Sequence, residues 1–218
     1  MTEMHDRRAL WKRPFFMRGV DSFLQSWMSE PTSKSYVSRG GDKLAAALTH
    51  FKLDVAGLLC ADLGSHVGGF VDCLLQRGAA KVYSLDTSYG TLAWTLRKDD
   101  RVVVLERTNA MHVTLPEPVD LVTIDVGWTP QAKILPAAAR MIKPEGRVVT
   151  LLKPHYEAAK ELLVDGVLPD GQVDAVVRTA KTTMQRDGWS IVAEIESPLR
   201  GHGGNREFLL MLVRGDPA

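Results

Sequence analysis

Short runs of continuous apolar residues recur along the chain and alternate with segments of helical character. The apolar runs predict seven strands, over residues 57–63, 81–86, 102–105, 119–126, 147–153, 191–195 and 207–213. A strand that is apolar at nearly every position is buried on both faces of its sheet, as in parallel sheets that helices cover on both sides. The pattern therefore favours a buried, mostly parallel sheet.

The segments between these strands predict the helices that cover the sheet. Helices are expected over residues 43–48, 70–77, 91–98, 130–142 and 173–186. Strands and helices in this alternation are typical of a doubly wound α/β domain. After the last helix, two strands follow each other through a loop that turns back, so an antiparallel strand is expected at that edge of the sheet.

The first 35 residues do not follow this alternation. They carry basic and aromatic side chains in turn, namely Arg7, Arg8, Trp11, Lys12, Arg13, Phe15, Phe16, Arg18, Phe23 and Trp27. This composition suits the attraction of RNA phosphates and stacking on bases, but equally packing on the domain or on a second subunit. We predict an N-terminal extension over 1–35 and one domain over 36–218. A homodimer and a separate RNA-binding partner both stay open.

Composition narrows the possible functions. With 27 basic and 26 acidic residues the formal net charge is +1, so an RNA partner must be met by a local basic surface. The longest apolar runs reach about seven residues, a bilayer helix needs about 20, and the charged N-terminus lacks a secretory signal's apolar core. Cys60 and Cys73 have no metal-ligand spacing. These features predict a cytoplasmic protein without a membrane partner, disulfide scaffold or metal site.

A glycine-rich turn after the first strand predicts a small-molecule site. Its expected ligand contacts are Asp62, Gly64, Ser65, His66, Gly68, Gly69 and Phe70. In doubly wound sheets such turns lie at the carboxyl ends of strands, where ligands bind. The spacing differs from the Gly-x-Gly-x-x-Gly pattern of dinucleotide sites. A ligand with an amino-acid tail, a nucleoside head and no phosphates is therefore favoured, and S-adenosylmethionine has this chemistry.

Polar residues after the next two strands add to this site. Asp86 ends the second strand and can accept hydrogen bonds from both ribose hydroxyls, or alternatively cap a helix. Asn109 follows the third strand and would meet the adenine edge, although an asparagine there is also typical of a turn. His66 either contacts the methionine moiety or fills the turn.

Six motifs occur in a fixed order between residues 36 and 214. They are Tyr36-Val37-Ser38-Arg39-Gly40-Gly41-Asp42-Lys43-Leu44, the loop from Asp62 to Phe70, Leu105-Glu106-Arg107-Thr108-Asn109-Ala110, Val122-Thr123-Ile124-Asp125-Val126, Leu151-Leu152-Lys153-Pro154-His155-Tyr156-Glu157 and Gly204-Asn205-Arg206-Glu207-Phe208-Leu209-Leu210. Together they resemble the FtsJ-like RNA ribose methyltransferases, and in particular their TlyA (hemolysin A) branch. The resemblance implies a Rossmann-like methyltransferase fold, S-adenosylmethionine as cofactor, and ribose 2′-O-methylation of RNA, with ribosomal RNA as the expected partner.

The resemblance also implies a catalytic Lys-Asp-Lys-Glu tetrad. Its members match Lys43, Asp125, Lys153 and Glu207, and Asp125 is also expected to touch the cofactor. A ribose hydroxyl is a poor nucleophile, so in-line attack on a sulfonium methyl group needs alignment and a proton acceptor. A lysine can accept the proton if burial or a second cation lowers its pKa from about 10.4. Lys153 is the predicted acceptor, Lys43 the second cation; ordinary ion pairs at strand ends are the alternative.

The sequence departs from the resembled branch in three places. Ser65-His66-Val67 stands where relatives have small residues, and Val126-Gly127-Trp128 replaces Val-Ser-Phe. Trp128 either stacks on a base or lies in the core. Relatives of this branch also carry an S4-type RNA-binding domain, for which 35 residues are too few. Two alternative functions therefore stay open: a catalytically inactive RNA-binding or ribosome-associated module, and a methyltransferase for a non-RNA substrate.

Overall fold

The structure, a computed structural model, describes residues 35–215. The strands in this part of the chain are β1 (Leu59–Leu63), β2 (Lys81–Leu85), β3 (Val102–Leu105), β4 (Val119–Ile124), β5 (Ile142–Leu152), β6 (Trp189–Glu196) and β7 (Phe208–Arg214). The α-helices are α1 (Arg39–His50), α2 (Gly69–Gln76), α3 (Trp94–Arg97), α4 (Gln131–Met141), α5 (Pro154–Glu157) and α6 (Asp170–Arg186), and short 3-10 helices span Lys160–Leu162 and His202–Gly204. Apart from Ser35, the predicted N-terminal extension lies outside the described residues.

The seven strands form one sheet in the order β3-β2-β1-β4-β5-β7-β6. Strands β1 to β5 pair in parallel, whereas β7 is antiparallel to both β5 and β6. The prediction of a doubly wound, mostly parallel sheet with an antiparallel last strand is confirmed. The edge strand at this end is β6, which pairs antiparallel with β7, while β7 itself lies inside the sheet. The apolar side chains of Leu209, Leu210 and Leu212 are fully buried, as an interior strand requires.

Helices cover both faces of the sheet because successive side chains of a strand point to opposite sides. In β4, Leu121 packs into the core on one face, together with Leu44 of α1. The next residue, Val122, packs into the core on the other face, together with Ile134 of α4. Each large apolar side chain buried in this way contributes roughly 1.5–3 kcal/mol, so the two cores fix the sheet between its helices.

Two helices differ from the prediction by four residues or more in length. The helix expected over 91–98 is a single turn, α3, because the Ala93 N–H donates a hydrogen bond of 3.0 Å to the Val67 carbonyl and ties the preceding residues to the glycine turn. Helix α1 begins four residues earlier than expected, since Gly41 has no side chain and leaves room for the Tyr36 ring. Among the described residues, no helix combines the length and apolar character that a bilayer span requires.

The fold brings the carboxyl ends of β1, β2, β4 and β5 to one edge of the sheet. Chain order reverses between β1 and β4, since β2 and β3 are added on one side of β1 and β5 on the other side of β4. Ligands of doubly wound sheets bind in the crevice outside such a reversal. This edge is therefore where the polar residues of the predicted site should meet.

Candidate functional site

A cavity of about 510 Å³, here called the main cavity, opens at this carboxyl edge. Its size lies within the usual range for small-molecule sites. Most of the residues predicted from the sequence are in its wall: Lys43, Asp62, Gly64, Ser65, His66, Gly69, Phe70, Asp86, Asn109, Asp125 and Lys153. The two others, Gly68 and Glu207, are not lining residues.

Two glycines of the turn after β1 are required for different reasons. Gly64 has a φ of +89°, and a Cβ there would lie 2.7 Å from the Asp125 carbonyl oxygen. Glycine therefore lets the end of β1 approach the chain that follows β4. Gly68 has a φ of +102°, and a Cβ there would overlap the side chains of Leu92 and Leu96. Gly68 thus allows the turn to pack on the α3 segment and does not form part of the cavity wall.

Asp62 places a fully buried carboxyl group in the wall of the main cavity. Its Oδ1 accepts a hydrogen bond of 2.7 Å from Thr123 Oγ1, while Oδ2 has no partner among the described residues. Burial raises the pKa of Asp62 to about 7, against the opposing hydrogen bonds from Thr123 and Ser65. Buried polar atoms are normally paired, so this oxygen suits a ligand that brings an N–H donor. The amino group of S-adenosylmethionine is such a donor, and the site fits that cofactor.

Asp86 and Asn109 line the main cavity and also organise turns. The Asp86 Oδ1 accepts bonds from Ser88 N at 2.7 Å and Ser88 Oγ at 2.6 Å, and Oδ2 accepts one from His66 N at 2.7 Å. Burial raises the pKa of Asp86, but these hydrogen bonds outweigh burial and hold it below the ordinary value. No described helix begins at Asp86, so Asp86 does not cap a helix. Because Oδ1 already accepts two hydrogen bonds and Oδ2 only one, Oδ2 has more room to accept a further bond from a ribose hydroxyl. Asn109 accepts from Met111 N at 3.0 Å, a turn contact.

Lys43 and Glu207 form an ion pair inside the protein. The Lys43 Nζ lies 2.5 Å from Glu207 Oε2, and the two side chains are only 10% and 4% exposed. Glu207 directly precedes β7, and a Cβ on Gly201 would overlap its carboxylate, so Gly201 leaves the room that this acid occupies. The carboxylate therefore fixes the direction in which the Lys43 ammonium faces the main cavity.

Lys153 and Asp125 form a second ion pair at the same cavity. The Lys153 Nζ lies 2.6 Å from Asp125 Oδ1 and donates a hydrogen bond of 3.0 Å to the Val126 carbonyl. The exposed fractions of the lysine and aspartate side chains are 13% and 27%. The four residues predicted as a tetrad thus form two ion pairs, and both lysines line the main cavity. Their burial argues against solvated surface pairs, which contribute little.

Two aromatic side chains, Trp128 and Tyr156, lie beside Lys153. Trp128 has a φ of +57° and is 86% exposed, which excludes the core alternative. Its ring centroid lies 5.0 Å from that of Tyr156, and the Lys153 Nζ lies 5.6 Å from the Tyr156 centroid. His155 is buried, and burial, Lys153 and His202 together lower its pKa to about 4. His155 is therefore neutral near pH 7 and adds no further cation to the site.

Two residues in and beside this region, Arg39 and Glu157, were not predicted as site residues. Arg39 lines the main cavity and donates a hydrogen bond of 3.0 Å to the Arg200 carbonyl. Its position four residues before Lys43 on one helix was a signal that both would share a face. Glu157, by contrast, bonds to Gln131 at 2.8 Å from the short helix α5, which the sequence did not predict.

Comparison with known proteins gives a family match and similar relatives. The model of the FtsJ-like methyltransferase family matches residues 36–214. The chain is 44% identical over 188 residues to the 16S/23S rRNA (cytidine-2′-O)-methyltransferase TlyA of Mycobacterium tuberculosis, which covers 83% of this chain and 69% of that protein.

Solved structures resemble the fold. A candidate hemolysin from Streptococcus thermophilus superposes with a TM-score of 0.80 at 36% identity, covering 83% of this chain and 68% of that one. An S-adenosylmethionine-dependent methyltransferase from Mesorhizobium loti superposes with a TM-score of 0.60 at 20% identity, covering 80% of this chain and all of that one. The second likeness concerns the fold alone.

Proposed function

Because the chain belongs to the FtsJ-like methyltransferase family, we propose that it transfers a methyl group from S-adenosylmethionine to a ribose 2′-hydroxyl of ribosomal RNA. The observation that carries the proposal is the presence of two lysine–carboxylate pairs at one cavity, one of them buried and the other half-buried. The named activity of the Mycobacterium tuberculosis relative, on 16S and 23S rRNA, supports RNA as the substrate.

S-adenosylmethionine is the cofactor, and three side chains of the main cavity are suited to hold it. When bound, it supplies a methyl group on a positively charged sulfur, which departs as a neutral thioether when the carbon is attacked. Asp62 Oδ2 would accept a hydrogen bond from the amino group, because that oxygen is buried and has no partner within residues 35–215. Asp86 Oδ2 would accept from a ribose hydroxyl, and Asn109 would stand near the adenine.

Lys153 is the proposed proton acceptor. Asp125 and the Val126 carbonyl hold its nitrogen in the wall of the main cavity. In this step Lys153 acts as the neutral amine, after its ammonium has released one proton to water. As the ribose 2′-oxygen forms its bond to the methyl carbon, the bond from that carbon to sulfur breaks and the hydroxyl proton passes to the lone pair of the Lys153 nitrogen. A positioned base of this kind contributes typically about 10²–10⁴-fold to the rate.

Lys43 is proposed to orient the attacking ribose. Glu207 fixes the Lys43 ammonium from the side away from the cavity, so its remaining N–H groups can donate to the 2′-oxygen. Holding the reacting oxygen in line with the methyl carbon lowers the entropic part of the barrier. Before the reaction, when both lysines are protonated, each has its own carboxylate, so the two cations can lie at one cavity without leaving an unpaired buried charge.

Exposed aromatic side chains support a nucleic-acid substrate. Trp128 stands at the mouth of the main cavity, where stacking on a base would contribute about 1–3 kcal/mol. Tyr89 is 69% exposed, and the Arg107 guanidinium lies 4.2 Å from its ring centroid. Such cation–aromatic pairs serve single-stranded RNA well. A ribosomal substrate would also agree with the cytoplasmic location expected from the sequence, and a homodimer or RNA-binding partner stays a prediction.

The test is to map the methyl group on RNA. Ribosomal subunits and free rRNA would be incubated with the protein and methyl-labelled S-adenosylmethionine, then cleaved with alkali. We expect label in RNA and one alkali-resistant position, because a 2′-O-methyl group blocks attack by the 2′-oxygen. Label on a base, on protein or on a metabolite would contradict ribose methylation. Calorimetry that detects no cofactor binding would instead favour the inactive module.

A further inference from the structure

The two loops that carry Asp125 and Lys153 are joined outside the main cavity as well as inside it. The loop over 125–130 leads from β4 to α4, while α5 follows β5 directly. Inside the cavity the loops meet through the pair of Lys153 with Asp125 and through the Val126 carbonyl. Farther out, the rings of Trp128 and Tyr156 pack against each other.

A third link between the two loops is a group of hydrogen bonds centred on Gln131. The backbone N–H of Gln131, at the start of α4, donates to Glu157 Oε1 at 2.8 Å. The Gln131 Oε1 accepts from Thr150 Oγ1 at 2.8 Å, and its Nε2 donates to the Leu151 carbonyl at 3.4 Å. The start of α4 is thus bonded both to the end of β5 and to α5, on either side of Lys153.

Burial makes this link stiff. Gln131 is 3% exposed and Thr150 is fully buried. The carboxyl group of Glu157 is mostly buried as well, and burial raises its pKa, while the Gln131 N–H opposes that rise. A buried backbone N–H loses its only partner if Glu157 is truncated, so the start of α4 would have to move to find another.

Glu157 and Gln131 lie away from the reacting groups. Neither lines the main cavity; both line a second cavity of about 350 Å³ beside α6. Any effect of these residues on methyl transfer must therefore pass through the loops that they join.

We propose that Glu157 is a positioning residue for methyl transfer, which acts through Gln131 to set the distance between the Asp125 loop and Lys153. With the link intact, Asp125 and Val126 hold the Lys153 nitrogen towards the main cavity. The inference rests on the proposed function, in which Lys153 takes the hydroxyl proton.

The test compares two replacements of the same side chain with a matched control. Glu157→Leu removes the acceptor for the Gln131 N–H, whereas Glu157→Gln keeps a carbonyl oxygen in its place. Glu194→Leu makes the same change at an exposed glutamate of the edge strand β6, two strands away from β5, where Glu194 pairs with Lys181 of α6. For each variant, kcat and KM for RNA, the Kd for S-adenosylmethionine and the Tm would be measured.

We expect Glu157→Leu to lower kcat at least tenfold with KM and cofactor Kd little changed, and to lower Tm by only a few degrees, as the loss of one hydrogen bond does. Glu157→Gln and Glu194→Leu should stay within about twofold of the parent kcat. The first keeps an acceptor oxygen for the Gln131 N–H and the second leaves both loops unchanged, so the alignment of the reacting groups is kept. A kcat within twofold of the parent for Glu157→Leu overturns the proposal. So does a parallel loss of kcat, cofactor binding and Tm, because a merely structural role produces that pattern.

A crystal structure of Glu157→Leu gives a measurement that does not depend on activity. We expect the Lys153 Nζ to lie beyond about 3.5 Å from Asp125 Oδ1, outside hydrogen-bond distance. An unchanged distance overturns the positioning role. If the parent protein methylates no RNA, the proposed function fails, and this structural comparison still decides whether Glu157 positions Lys153.

Discussion

Strand β4 has an aspartate at or next to each of its ends, and its neighbour β5 has a lysine at or next to each of its ends. The aspartate and the lysine pair at both ends, but the two pairs differ in their exposure to water. At the amino ends, Lys143 Nζ lies 2.7 Å from Asp120 Oδ1. At the carboxyl ends, Lys153 Nζ lies 2.6 Å from Asp125 Oδ1. The pairs are alike in chemistry and distance, but the Lys143 side chain is 45% exposed and that of Lys153 is 13% exposed.

Access to water separates a structural pair from a reactive one. The Lys143 ammonium holds the pKa of Asp120 below its usual range, and Asp120 also accepts a hydrogen bond of 3.0 Å from the Leu59 backbone. Solvent weakens the attraction of such a pair, and its carboxylate serves the backbone of β1. The pair at the carboxyl ends lies where the glycine turn leaves a cavity for ligands. There, the same two side chains can meet a substrate.

The largest difference between the two ends should appear in the rate. We expect Lys153→Ala to lower kcat about 10²–10⁴-fold, roughly 3–5 kcal/mol, because the proton acceptor is lost. Cofactor affinity, measured by calorimetry, should change only a few-fold. Lys143→Ala serves as the matched control and should keep the parent kcat. Full activity in Lys153→Ala would remove the proposed base.

A second contrast concerns stability. Glu207→Ala leaves the Lys43 ammonium buried without its carboxylate, so the free energy of unfolding should fall by about 3–5 kcal/mol. Urea unfolding followed by circular dichroism measures the change. The double replacement of Glu207 and Lys43 by Leu and Met should restore part of the loss, since it removes both charges. A loss below about 1 kcal/mol for Glu207→Ala would mean that Lys43 behaves as a surface charge.

The third contrast concerns how the free energy of unfolding depends on pH. We expect this dependence to come from Asp62, at the carboxyl end of β1, and not from the pair at the amino ends. Asp62 has a folded-state pKa of about 7, above its ordinary value near 3.9, so the folded protein holds an extra proton between these values. Stability from this proton is fully present below the unfolded pKa and is lost as the pH rises through 7. Between pH 5 and 7.5 the loss amounts to roughly 2.5 kcal/mol by linkage.

Comparison with Asp62→Asn isolates this contribution. The variant should lose that much less stability than the parent over the same pH interval, measured by urea unfolding without cofactor. Saturating S-adenosylmethionine should reduce the difference, because the amino group would pair with Asp62 Oδ2. Parallel pH curves for the two proteins would show that Asp62 is not protonated in the folded state.

The smallest effect is expected at the amino ends. Lys143→Ala should change the free energy of unfolding by less than about 1 kcal/mol, as for exposed pairs in general. The difference should shrink further in 1 M salt, where the screening length is about 3 Å. A salt-independent loss of several kcal/mol would show that this pair is sheltered from solvent and would remove the contrast between the two ends.

Four of the residues that were predicted from the sequence lie at or next to the carboxyl ends of parallel strands. Asp62, Asp86, Asp125 and Lys153 each stand just where an apolar run stops, and parallel strands bring such positions to one edge. Their general location therefore followed from the hydrophobic pattern. Gly68 shows the limit of that reasoning: it belongs to the same turn, but its missing side chain makes room for Leu92 and Leu96.

The contacts between distant segments could not be predicted from the local hydrophobic pattern of the sequence. The hydrogen bond between Glu157 and Gln131 depends on α5, a single turn that begins at Pro154. Four residues are too few to show the hydrophobic periodicity of a helix. Likewise, Glu207 reaches Lys43 only because Gly201, in the loop before β7, leaves space for the carboxylate. Local patterns do not encode such fits, since they arise when two loops are packed together.

By itself, the sequence determined the order of strands and helices, the two-faced burial of the sheet and the residue types gathered at its carboxyl edge. These follow from hydrophobic periodicity and from strand direction, which act over a few residues at a time. The tertiary structure alone decided which charges pair, which of them are shielded from water, and that Asp62 keeps one oxygen without a partner. Those properties depend on burial and on distances between segments far apart in the chain, and both come into existence only when the layers pack.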